Sequence, residues 1–301
     1  AMTGKFHLFY LNAPSESYAT GAHHQAATVG YGVTKDFLEI EWGAHDVLRA
    51  DPQGWDNTSI WTGDVLRIGK GFWMFYTSRD HHRDDGFTQA IGVARADQID
   101  ARHWQRISRL PLEVNSPDYE PRGIQGDLSV HAWRDPFLFR WGGDTYMLLS
   151  AKAAGRPLGR NGAVAWLKAC DPQLNQWQPL PPLVVPGHYS EMEVPQVYRR
   201  PDGRLALLFS TTAALDFTPE SPHQGGIYAM AAEGFEGFAH QVPRNILPAS
   251  SGLYACRAIP ELAGELIGFD LATGGIRRSG IQTHLQSLDK DFSDIFLEVP
   301  E

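Results

Sequence analysis

The chain has 301 residues, 43% hydrophobic and 20% charged, with a formal net charge of -9. That length suits one large domain or two ordinary ones, and an acidic chain without a clustered basic patch excludes a nucleic-acid-binding surface. No apolar run is long enough to span a bilayer, no basic-then-apolar leader is visible, and Cys170 and Cys256 fit neither a disulfide framework nor a zinc spacing.

In chain order, short runs rich in Val, Ile, Phe, Tyr and Trp, broken by Gly, Pro and Asp, predict strands nearly throughout. "HLFYL" comes first, after a "TGK" turn, and "KDFLEIEW" follows with Asp36 and Trp42. "SIWTGDVLRI", a "GKG" turn and "FWMFYTS" form a hairpin over 59–78, ahead of "DQIDARHW" with Asp97 and Trp104. "RDPFLFR", "WGGD" and "TYMLLSA" repeat the pattern over 134–151, ahead of "DPQLNQW" with Asp171 and Trp177. "EVPQVYR", "RPDG" and "RLALLFST" do so over 193–211, and "EGFEGF", ending at Phe238, reads as the outer strand of that unit. "GLYACRAI", "PELAG" and "ELIGFDL" close the series over 252–271. Gly and Asp in the turns supply the positive φ a tight hairpin needs.

The order within each unit is constant: inner strand, turn, aromatic strand, third strand, then an Asp leading to a Trp on an outer strand. Repeated about five times with a period of about 60 residues, it predicts an all-β, five-bladed β-propeller of four-stranded antiparallel blades around a central channel. The prediction is a single domain over 1–301 with the first blade incomplete at its N-terminal inner strand. A β-sandwich is the alternative, and the regular strand order argues against it. In a propeller the starts of the inner strands converge on the axis. Asp135 in "HAWRDPFLF" and Glu193 in "SEMEVPQVY" lie 58 residues apart at nearly equivalent places, each just ahead of a proline, and are expected to face one pocket. A carboxylate so placed is costly unless it is paired or put to work.

"FHLFYLNAP", "TVGYGVTKDF", "WTGDVL", "MFYTS", "WRDPFLF" and "EVPQV" resemble glycoside hydrolase family 32, the five-bladed β-fructosidases and invertases, and more distantly family 43. The resemblance runs from about residue 6 to about residue 271. It implies a retaining glycosidase acting on a furanosyl, β-fructosyl glycoside, with a small carbohydrate as partner and no cofactor. Carried onto this chain, Glu193 is the general acid/base, Asp135 the transition-state stabiliser, and Arg134 orients Asp135 or binds a sugar hydroxyl. Retaining chemistry places acid and nucleophile about 5 to 5.5 Å apart, and a neighbouring carboxylate helps the acid keep its proton.

The family's nucleophile belongs about ten residues before "HLFY", and the internal repeat agrees, because Asp135 precedes Tyr146 by 11 residues and Glu193 precedes Leu205 by 12. The matching carboxylate therefore falls before residue 1. Either the gene starts upstream of Met2, or the protein lacks that strand and is a degenerate or repurposed member; a third reading puts "DIFLEVPE", with Glu298 or Glu301, in the empty place. Asp64 points the same way as Thr62 by strand alternation. It stands as a replacement nucleophile, a sugar ligand or a bend residue, and Asp56 as a turn residue.

Trp61, Trp133 and Tyr254 are candidate subsite walls or core residues. Asn12 stands where the family contacts substrate, while Val29 and Tyr31 replace its usual Trp and His. Glu191 is a rival to Glu193 that the proline register disfavours. His23, His24, His81 and His82 read as solvated loop residues rather than metal ligands, so no metal is expected. Three functions stay open: a fructosyl hydrolase, a sugar-binding relative without turnover, and a propeller serving another reaction. A cytoplasmic location and no membrane partner are expected.

Overall fold

A computed structural model describes residues 4–18, 20–107, 111–127, 129–219 and 222–295. The chain forms five antiparallel sheets in succession, a five-bladed β-propeller. Blade one holds β1 (Phe6–Asn12), β2 (Thr28–Thr34) and β3 (Ile40–Trp42). Blade two holds β4 (Ile60–Ile68), β5 (Gly71–Arg79), β6 (Gln89–Ala96) and β7 (Gln105–Arg106). Blade three holds β8 (Trp133–Trp141), β9 (Asp144–Lys152), β10 (Gly162–Ala169) and β11 (Trp177–Pro179). Blade four follows with β12 (Glu193–Arg199), β13 (Leu205–Thr211), β14 (Gly226–Ala232) and β15 (Arg244–Pro248). Blade five has β16 (Leu253–Ile259), β17 (Glu265–Asp270) and β18 (Ile276–Gln282).

Four strands per blade hold for blades two, three and four; among the described residues blades one and five have three. The Asp-to-Trp runs act as expected at the blade rims: Asp36 accepts from the N–H groups of Leu38 and Glu39, and Asp171 from those of Gln173 and Gln176. "EGFEGF" is a correction. It folds as a 3₁₀ helix over Phe235–His240, which buries Phe235 and Phe238, and the outer strand comes later, at Arg244–Pro248. Glycines at 234 and 237 break the period-two alternation a strand needs.

Where both faces of a sheet are covered, as at β9 and β13, the strands read as near-continuous apolar runs. The core is divided among the gaps between blades. Tyr31, Ile60, Met74, Tyr76 and Trp104 fill the gap between blades one and two. Trp73, Phe75, Leu149 and Trp177 fill the next. Phe137, Phe139, Leu207, Phe209, Tyr228 and Leu253 join blades three, four and five. Across the seam between blades five and one, Arg278 donates to the Asp36 carbonyl at 3.2 Å.

The segment after β18 returns under the ring. Its β19 (Gln286–Ser287) pairs with the inner edge of β12, the Arg140 N–H donates to the Asp289 carbonyl, and the Gly69 N–H donates to that of Phe292. Phe292 is fully buried. These contacts all fall at the C-terminal ends of inner strands, so the segment closes the channel opposite the end where Asp135 and Glu193 lie. Glu298 and Glu301 lie outside the described residues.

Candidate active site

The starts of the inner strands carry the same backbone device in three neighbouring blades. Asp135, Val194 and Ala255 all adopt positive φ, at 61°, 49° and 51°. Each lies in a register shift, between Arg134 and Phe137, Glu193 and Gln196, and Tyr254 and Arg257. A left-handed non-glycine residue costs roughly 1–2 kcal/mol, more for a β-branched one, and such strain gathers where a bulge re-aims a side chain. Here the bulges bring together the side chains just before them, Arg134, Glu193 and Tyr254. Pro136 and Pro195 sit within the bulges, where a missing N–H leaves no ladder bond unmade.

Arg134 is the hub. Its Nη2 lies 2.8 Å from Glu191 Oε1 and 2.9 Å from Glu193 Oε1, and its Nε lies 3.6 Å from Asp135 Oδ2. Its Nη1 donates to Gln89 Oε1 at 3.0 Å. Arg134 is 1% exposed and Asp135 3%, so the guanidinium is held by these groups rather than by water, and the carboxylates around it keep it firmly protonated despite burial. Asp135 accepts from the Thr62 hydroxyl and from the Val194 N–H at 2.9 Å, while its own N–H donates to Thr77 Oγ1 at 3.0 Å. Blades two, three and four are thereby tied at one carboxylate. The Tyr254 hydroxyl hydrogen-bonds the second oxygen of Glu193, adding blade five.

Burial raises the Glu193 carboxyl to about 8, with Glu191 the next cause and Asp135 a further one, against the opposing pull of Arg134. Glu193 therefore holds a proton near neutrality and can donate it. Beneath Arg134, the Gln89 N–H donates to His131 Nδ1 at 3.4 Å, and the His131 Nε2–H donates to the Glu120 carbonyl at 2.7 Å. Burial lowers His131 to about 4, so it is neutral and holds this single tautomer. Lys152 donates to Ser129 Oγ at 2.6 Å and to the Ser190 carbonyl at 2.8 Å, and pairs with Asp127 at 3.3 Å. It thus anchors the turn that delivers Glu191.

At the rim, Trp61 is partly exposed. The His24 ring stacks on it at 5.2 Å and the Arg79 guanidinium lies 5.1 Å from its centroid. Arg79 also donates to the His24 carbonyl at 2.5 Å, fastening this blade-one loop over the second blade.

Of the residues singled out from the sequence, Asp135, Glu193, Arg134, Thr62 and Tyr254 share the cluster, with Trp61 at its edge. Three do not. Asp64 accepts from the Lys290 ammonium at 2.8 Å and the Leu138 N–H at 2.9 Å; it anchors the returning segment further along the channel. Trp133 is fully buried and packs edge-on to Tyr119 at 5.3 Å, so it is core and not a subsite wall. Asn12 donates to the His45 carbonyl at 3.3 Å within blade one. Asp56 is buried and holds Arg106 at 2.6 Å and the Tyr76 hydroxyl at 2.8 Å, a tie between strands rather than a turn. Glu191 joins Arg134 after all; its even spacing from Glu193 was the available signal. Gln89, Thr77 and Lys152 carried none, since a polar residue on the second or third strand of a blade looks like any other, and neither did His131, in the loop ahead of β8.

Residues 1–198 match the model of the glycosyl hydrolases family 32 N-terminal domain. No curated protein sequence matches the chain. Among solved structures, the β-fructofuranosidase catalytic domain of Microbacterium saccharophilum K-1 superposes with a TM-score of 0.64 at 17% identity, covering 91% of this chain and 72% of that one. The inulosucrase of Halalkalicoccus jeotgali, bound to kestose, superposes at 0.66 and 23%, covering 91% and 73%. The levansucrase of Gluconacetobacter diazotrophicus does so at 0.63 and 17%, covering 93% and 75%. With five blades, the "RDP" and "EVP" carboxylates drawn to one arginine, and a family match over most of its length, this chain belongs to glycosyl hydrolase family 32.

Proposed function

We propose that the protein is a glycoside hydrolase acting on fructosides, with Glu193 as general acid/base and Asp135 as transition-state stabiliser. The observation that carries this reading is the shared grip of Arg134 on both carboxyl groups where the inner strands begin. Glu193, protonated near neutrality, delivers its proton to the leaving glycosidic oxygen as positive charge builds at the anomeric carbon, then takes one from water in the second half of the reaction. Asp135, locked by Thr62 and the Val194 N–H, presents fixed negative charge to the sugar ring without having to reorganise. Arg134 keeps the two at constant spacing. Trp61 offers an apolar edge to the sugar's C–H face. A fructosyl oligosaccharide, of the kind bound by the inulosucrase relative, is the ligand class this reading expects.

The retaining route also needs a nucleophile about 5–5.5 Å from the acid. Asp64 does not serve in this reading, because Lys290 and the Leu138 N–H hold its carboxylate. A second reading, sugar binding without turnover, is favoured by one feature: Glu191 and Asp135, the other carboxylates of the cluster, are both committed to Arg134. One experiment separates the two. Sucrose, inulin, levan and an aryl fructofuranoside are incubated with the protein and with Glu193→Gln. Hydrolysis that the variant loses by about 10²-fold or more supports the first reading. Calorimetric binding of the same sugars, with no hydrolysis by either protein, supports the second and overturns the first.

A further inference from the structure

We propose that Glu191 is a positioning residue whose ionised carboxylate, bridged to Glu193 through a single nitrogen of Arg134, keeps the proton on Glu193. The inference deepens the proposed function by naming what holds the acid in its working form.

The geometry is a matter of counting charge. One guanidinium faces three carboxyl groups, Asp135, Glu191 and Glu193. Of the neighbouring cations, Lys152 attracts the Glu191 charge but also pairs with Asp127, so that two cations face four carboxyl groups, and Arg79 donates to the carbonyls of His24 and Gly86. The His24 ring is stacked on Trp61 at the rim. Glu191 is only 6% exposed, so surplus negative charge is poorly solvated there and the cluster is driven to retain a proton.

The hydrogen bonds say where that proton sits. Asp135 Oδ2 faces the Val194 N–H, which can only donate, and its other oxygen takes the Thr62 hydroxyl. Glu191 Oε1 and Glu193 Oε1 each accept from Arg134 Nη2. Glu193 likewise has its second oxygen on a hydroxyl, that of Tyr254, which can accept as readily as donate, whereas Asp135 Oδ2 is taken by a backbone N–H. A proton on Glu193 thus fits a hydrogen bond already present. Burial and the Glu191 charge both push in the same direction.

The test is the Glu191→Gln variant, read by carboxyl carbon-13 NMR across pH, with the Glu193 signal assigned from its disappearance in Glu193→Gln. Removing the Glu191 charge also leaves Arg134 freer to hold an ionised Glu193, so both effects act together. The midpoint of Glu193 is expected to fall by at least one pH unit, to a proton concentration at least tenfold higher. An unchanged midpoint would overturn the proposal, as would wild-type spectra that place the neutral-pH proton on Glu191; the wild-type spectra decide even if the variant does not fold. Because the titration requires no turnover, a shifted midpoint in a protein that hydrolyses nothing would sustain this inference while defeating the proposed function. In an active protein the alkaline limb of kcat/KM moves down with the NMR midpoint.

Discussion

Replacing Arg134 by Met keeps most of the aliphatic stem and removes the one cation that two buried carboxyl groups and the half-buried Glu193 share. The cost depends on pH. A carboxyl forced to stay protonated at pH 8, about 3.5 units above its ordinary midpoint, costs about 5 kcal/mol, since each unit is worth about 1.4 kcal/mol. At pH 5 the same constraint costs about 0.7 kcal/mol. The larger figure matches the roughly 3–5 kcal/mol lost when one partner is removed from a buried ion pair. Urea unfolding followed by tryptophan fluorescence, at pH 5 and pH 8, reads both. Arg134→Met is expected to lose several kcal/mol at pH 8 and to recover most of it at pH 5. Equal losses at the two pH values, or none at pH 8, would refute the charge-balance reasoning.

Glu193 supplies a second pH signature. Its folded midpoint, about 8, lies above its ordinary value of 4.5, so the folded state keeps a proton that the unfolded chain releases. Its contribution to stability is full below about pH 4.5 and declines as pH rises through 8, and Glu193→Gln is expected to flatten the stability curve across that window; a curve as steep as wild type would contradict it. For Lys290→Met, hydrogen exchange should speed up at the Arg140 and Gly69 amides, which donate to the returning segment, while sugar binding is unchanged, because Asp64 keeps the Leu138 N–H; lost binding in a folded variant would return Asp64 to the site. In Gly268→Ala the added methyl collides with Cys256 Sγ and comes within 2.8 Å of the Tyr254 carbonyl. A loss of about 1–3 kcal/mol and a displaced Tyr254 are expected, and a neutral change by thermal melting would count against the close packing described.

Much of the fold is legible because strand alternation and Gly/Asp turns are local signals, and because the unit repeats. Asp135 and Glu193 could be paired from their equivalent positions alone. What failed to show needed partners distant in sequence. Asp64 meets an ammonium 226 residues away, and no strand pattern announces that. Trp133 has the same composition on either side as a subsite residue, and only the packing of Tyr119 makes it core. The positive φ of Val194 and Ala255 runs against the preference of both residue types, so local reading misses the bulges that aim the site. Proline register favours Glu193 over Glu191, and nothing local shows that Arg134, 57 residues before Glu191, holds both.

The most direct test of the central claim, that the cluster around Arg134 receives a fructosyl sugar, is amide NMR of the protein titrated with kestose. Shifts are expected at Thr62, Asp135, Val194 and Tyr254, and they should vanish in Asp135→Asn with its fold intact. Saturating sugar that leaves those four amides unmoved, or that moves only residues on another face, would contradict it.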